Sequence, residues 1–122
     1  MTINLESSEM KQVTAIVRPG RLEAVEQVLH ALPHLPGFTI VPAQGHPRGH
    51  GEGHRYIADE WDPDAHQHFM LLIFCSDDFL DDVLQAIEKA AHTGIPGDGI
   101  VAVTTLTDVL RIRTGERGNE AL

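Results

Sequence analysis

Residues 68–106 read HFMLLIFCSDDFLDDVLQAIEKAAHTGIPGDGIVAVTTL, and the period of their apolar positions changes twice. Residues 68–75 are a near-continuous apolar run bounded by polar residues, the pattern of a buried strand. Ser76 is suited to cap a following helix, and Asp77 and Asp78 sit where the N-terminal helix dipole favours acids. Phe79, Leu80, Val83, Leu84, Ile87 and Ala91 then recur at helical spacing and predict one buried stripe. Asp77, Asp78, Asp81 and Asp82 fall beside that stripe and read as a solvated face. Gly94 is a helix stop. Residues 100–106 (IVAVTTL) return to β-branched residues, so the whole segment reads strand, helix, strand.

The same order occurs upstream. Residues 12–18 (QVTAIVR) form a strand bounded by Pro19-Gly20. From Arg21 onward Leu22, Val25, Val28, Leu29 and Leu32 fall at helical spacing, with Glu23 and Glu26 near the N-terminus. Pro33, Pro36 and Gly37 end that helix, and a second strand runs from Thr39 to about Gln44. Two strand-helix-strand units predict an α+β chain of ferredoxin-like βαββαβ order. Its four-stranded antiparallel sheet carries both helices on one face. The other face is then bare, and strands this apolar seldom face water, so the chain is expected to oligomerise. Residues 1–122 read as a single domain with a polar arm at 1–10 and a long loop at 45–66 between strands 2 and 3. Residues 109–112 suggest a short edge strand, and 114–122 a polar, loose tail.

Composition narrows the function. With 122 residues, 42% of them hydrophobic, the chain can build one core. Eighteen acidic against nine basic residues give a charge of −9, which opposes binding to nucleic acid or to anionic membranes. The single Cys75 excludes an internal disulfide and lies in the apolar run, where it reads as a small buried hydrophobe. That run is far shorter than the roughly 20 residues a membrane span needs, so no direct membrane insertion is expected. The first ten residues lack the basic and apolar pattern of a secretory signal, and the expected address is cytoplasmic.

Three constellations carry chemistry. Thr93-Gly-Ile-Pro-Gly-Asp-Gly99 joins the second helix to the last long strand. Its three glycines suit either a tight turn or a backbone cradle for an anion. Arg111-Ile-Arg113, if extended, places two guanidinium forks on one side, where they can grip phosphate oxygens together or form surface ion pairs. The loop holds His46-Pro-Arg-Gly-His50-Gly-Glu-Gly-His54, too rich in glycine for a helix. It reads either as a solvated loop or as one in which His46, His50, Glu52 and His54 fold round a borderline metal such as Zn, Cu or Ni. Tyr56 and Trp61 in the loop suit contact with a partner or hairpin packing. No nucleophile with a paired base stands out, and the chain does not read as an enzyme.

These residues resemble the PII signal-transduction family from Met10 onward. Lys11-Gln-Val-Thr-Ala-Ile-Val-Arg-Pro19 is similar to its opening strand. Thr93-Gly94, Gly97-Asp98-Gly99 and Arg111-Ile-Arg-Thr-Gly-Glu116 are similar to its C-terminal signatures. The resemblance implies a regulatory homotrimer that binds ATP or ADP in clefts between subunits. It also implies control of a target protein, such as a membrane transporter or efflux system, through residues 45–66, the family's T-loop. It assigns Thr39 to the adenine end and Gly45 and Arg48 to the loop base near phosphate. Gly97, Asp98 and Gly99 would wrap the nucleotide, and Arg111 and Arg113 would hold its phosphates. Departures are specific. Gly45-His-Pro-Arg-Gly49 stands where Gly-Phe-Gly-Arg-Gln is usual, so the glutamine tied to Mg-ATP and 2-oxoglutarate is missing. Ile95, Ile100 and His68 stand where basic residues are usual, which weakens triphosphate binding more than adenine or diphosphate binding. The chain thus resembles divergent, His-loop members thought to serve metal or inorganic-ion transport. The alternative function is a metal-binding or metal-tolerance protein on the same scaffold.

Overall fold

In the computed structural model, which describes residues 9–45 and 67–122, six principal elements follow one another. They are β1 (Met10–Val17), α1 (Leu22–Ala31), β2 (Phe38–Gln44), β3 (Gln67–Ser76), α2 (Leu80–Ala91) and β4 (Gly99–Leu106). The strands form one antiparallel sheet of order β2-β3-β1-β4. This is the ferredoxin-like arrangement that the two strand-helix-strand units predict. Among the described residues, no helix is long and apolar enough to cross a membrane.

Alternation decides which face of the sheet is covered. Val13, Ala15 and Val17 on β1 are buried, and their neighbours on β3 are Ile73, Leu71 and Phe69. Val25 and Leu29 of α1 and Val83, Ile87, Ala90 and Ala91 of α2 close over them. Each fully buried Val, Leu or Ile contributes about 1.5–3 kcal/mol, so this layer is the main stabilising term. Cys75 belongs to it, fully buried, and burial raises its thiol pKa. The opposite face has no helix over it among the described residues. Phe74 is 40% exposed and Ile100 66%, which leaves apolar surface for another chain to cover.

Both helices begin differently from the simple periodic reading. A 3-10 turn precedes each, Pro19–Arg21 before α1 and Asp77–Phe79 before α2. Proline at the start of the first removes an amide that would be unpaired there anyway. In the second, Ser76 Oγ accepts from the Asp78 amide at 3.4 Å, so the serine caps the turn that leads into the helix. The end of the chain also departs from expectation. Residues 109–112 are not a strand but hold a single bridge, Leu110 to Arg117. Residues 118–121 form a 3-10 helix with Ala121 buried, where a loose tail was expected.

Candidate functional site

α2 stops at Ala91 because the chain must reverse into β4, and the reversal is built on Asp98. One carboxylate oxygen accepts from the amides of Thr93 (2.8 Å) and Gly94 (2.9 Å), and the other accepts the Thr93 hydroxyl. These donors hold the Asp98 carboxyl at about 2, with the Thr93 hydroxyl first among the causes. Arg18, at the end of β1, braces the same turn. Its Nη2 donates to the carbonyls of Ile95 (3.2 Å) and Pro96 (3.0 Å), while Nε forms an ion pair with Asp98 Oδ1 at 3.2 Å. Gly99 is at φ +107°, and a Cβ there would lie 1.8 Å from the Ile16 carbonyl oxygen. Only glycine lets β4 start this close to β1. The turn therefore holds itself: the amides of Thr93 and Gly94 are spent on Asp98 and cannot also cradle a ligand.

A cavity of 320 Å³ opens between α2 and the start of β4, floored by Leu84, Ile87 and Val101. Glu88, His92 and Asp98 rim it, with His92 Nδ1 3.8 Å from Asp98 Oδ2. Two acids at its mouth make it a poor seat for phosphate.

At the end of β2, Gly45 lies against His68, and a Cβ on Gly45 would stand 2.6 Å from the imidazole Nδ1. Thr39 is exposed on β2, paired with Leu72 on the sheet face away from the helices. Arg48 and the proposed metal set His46, His50, Glu52 and His54 lie outside the described residues. Among the described residues, no group of three or more His, Cys, Asp or Glu could hold a metal.

The arginine pair is built differently from the sequence expectation. Arg111 N donates to Glu116 O (2.9 Å) and Gly115 N to Arg111 O (2.8 Å), closing a tight loop with Gly115 at φ +75°. Arg113 is exposed in the turn, while Arg111 is half-buried and its Nε donates to the Ala121 carbonyl at 3.0 Å. Asp108 clamps the loop by pairing with Arg117, which holds its carboxyl below the usual range. The period-two argument for two parallel forks fails here because the backbone is not extended.

Register then separates the candidates. Gly99 pairs with Val17 and Leu106 with Met10, so the glycine turn and the arginine loop lie at opposite ends of β4. An eight-residue strand spans about 23 Å. Gly45 follows the β2 end that lies at the Val17 end of the sheet. One chain thus groups Gly45 with Gly97, Asp98 and Gly99 at one end, and keeps Arg111 and Arg113 at the other. Sequence reasoning missed Arg18 as the turn's brace and Ala121 as an acceptor. A cation directly before Pro-Gly was the available sign of the first, and nothing local marked the second.

The sequence profile described as Nitrogen regulatory protein P-II matches residues 10–116. The nitrogen regulatory protein P-II of Azospirillum brasilense is 35% identical over 113 residues, covering 93% of this chain and 100% of that protein. The nitrogen regulatory protein GlnK of Escherichia coli K12 is 36% identical over the same length and coverage. Among solved structures, a Bacillus subtilis GlnK-ATP complex superposes with a TM-score of 0.80 at 26% identity, covering 95% of this chain and 98% of that one.

Proposed function

This chain belongs to the nitrogen regulatory protein P-II family, a family of regulatory proteins and not of enzymes, and on that premise we propose that it is an adenine-nucleotide sensor acting as a homotrimer. The observation that carries the proposal is the separation along β4. The turn at Gly97-Asp98-Gly99 and the pair Arg111 and Arg113 cannot meet one small ligand within a chain. Side by side in an oligomer, the turn of one subunit and the arginine loop of the next make a cleft, and the bare apolar sheet face supplies the drive to associate. In that cleft Thr39 faces the adenine, Gly45 lies by the phosphate end, and the two arginines take the phosphates, with Arg48 assigned to phosphate by the family resemblance alone.

The residues present fit a nucleotide unevenly. Arg113 is exposed and Arg111 keeps its terminal nitrogens beyond the Nε bond. Arg18 is committed to the turn, and Ile95 and Ile100 are 60% and 66% exposed without charge. Among the described residues few cations are left for a highly charged tail, which favours the diphosphate relative to the triphosphate. Residues 45–66 then serve as the segment that contacts a target such as a transporter. A nucleotide that binds one arrangement of that segment better than another shifts target binding by the difference in affinity.

Calorimetric titration of metal-stripped protein with ADP and ATP tests this reading. Saturation near one nucleotide per subunit is expected, and no binding of either overturns it. Repeating the titration with magnesium, zinc and copper reads the metal alternative carried by His46, His50, Glu52 and His54, which rests on the sequence alone.

A further inference from the structure

Arg111 differs from Arg113 in what holds it. Its Nε donates to the carbonyl of Ala121, ten residues later, and both its backbone groups are tied within the loop. The acceptor is itself fixed. Ala121 is 6% exposed, the 3-10 turn Gly118–Ala121 ends in a bond from the Leu122 amide to Asn119 O, and Gly118 N donates to Val109 O. Asn119 and Leu122 line a crevice with His34, Pro36, Ser76 and Phe79. His34, at φ +63°, stacks on Phe79 across that crevice. A turn at the C-terminal end, docked through the buried Ala121, thus reaches back to one side of a guanidinium.

We propose that the C-terminal turn, residues 118–122, is a positioning element that aims Arg111 at an anionic ligand. A free arginine has several rotatable bonds to order before it can grip a phosphate. The Ala121 carbonyl fixes the Nε edge, so the remaining edge, Nη1 and Nη2, is presented already oriented. Pre-ordering of this kind raises affinity by reducing what binding must freeze. The proposal rests on the nucleotide reading for its ligand and deepens it by assigning the tail a part in the phosphate end of the site.

The test compares the full chain with a chain ending at Arg117, and with Ala121→Glu, which puts a charge where the turn is buried. ADP affinity is measured for each, with and without Arg111→Ala. In the full chain Arg111→Ala is expected to weaken ADP about ten-fold, the scale of a lost charge-assisted contact. In either tail variant affinity falls several-fold, and Arg111→Ala then adds little further loss. Arg113→Ala costs the same in every background, which checks that the loop still folds. Tail variants with unchanged affinity, or losses that multiply in full with Arg111→Ala, overturn the proposal. The Arg111 Nε–H resonance of ligand-free protein gives a second readout. It is expected to be slow to exchange in the full chain and fast in the tail variants. If the full chain binds neither ADP nor ATP, the nucleotide reading falls, and this resonance alone judges the tail: equal exchange in all three chains overturns its hold on Arg111.

Discussion

Asp98 shows how one side chain can use up a motif that looks built for a ligand. Its carboxyl, at about 2 against an ordinary 3.8, is held down by donors within its own turn. A depressed folded-state pKa gives stability that is present above 3.8 and is lost as pH falls through about 2. The Thr93 and Gly94 amide resonances are therefore expected to titrate together with a midpoint near 2. A midpoint at 3.8 would mean the carboxylate is not their acceptor. Gly99 carries a different constraint. At φ +107° and with the Ile16 carbonyl 1.8 Å from any added Cβ, Gly99→Ala is expected to cost about 3 kcal/mol or more in urea denaturation. A loss below about 1 kcal/mol would show that β4 can move away from β1 at little cost. The sequence marks both residues as belonging to a turn. It does not show that Arg18, just past β1 and eighty residues earlier in the chain, pairs with Asp98 and braces the turn.

Elements were legible where local period and burial agree. The α2 stripe of Val83, Ile87 and Ala91 is buried as its spacing predicts, with the acids facing water. Ile87→Ala is expected to destabilise by about 2–5 kcal/mol, while Gln85→Ala on the exposed face stays within about 0.5 kcal/mol, both read from denaturation midpoints. Equal losses at the two positions would contradict the assigned face. Residues 109–117 were not legible in this way. Alternating Leu110, Arg111, Ile112 and Arg113 matches a strand, but Gly115 and Gly118, at φ +75° and +69°, let the chain turn back on itself. Backbone bonds between Arg111 and Gly115–Glu116 then replace a sheet partner. The tail after them is polar in composition and still docks through one small buried residue, Ala121, while Asn119 and Glu120 stay exposed.

At the scale of the molecule, the candidate site is divided between the two ends of β4, and this makes a prediction about mixtures. Gly97→Asp is expected to block the turn, and Arg111→Ala with Arg113→Ala to empty the phosphate end, so neither variant alone binds ADP in calorimetry. After subunit exchange, the mixture should recover binding at a fraction of sites, because some clefts pair an intact turn with an intact arginine loop. No recovery in mixtures proven to exchange would place the site within one chain. Local pattern was enough for the two strand-helix-strand units, the buried stripes and the bare sheet face. These follow from periods of two and 3.6 and from the conformational range of glycine and proline, all of which act over a few residues. The folded chain adds that Val17 lies beside Gly99 and Met10 beside Leu106, and that Asp98 consumes its own turn's amides. It alone seated Ala121 against Arg111. Strand direction and register are set by the packing of the whole sheet, so which ends meet is not written in any single segment.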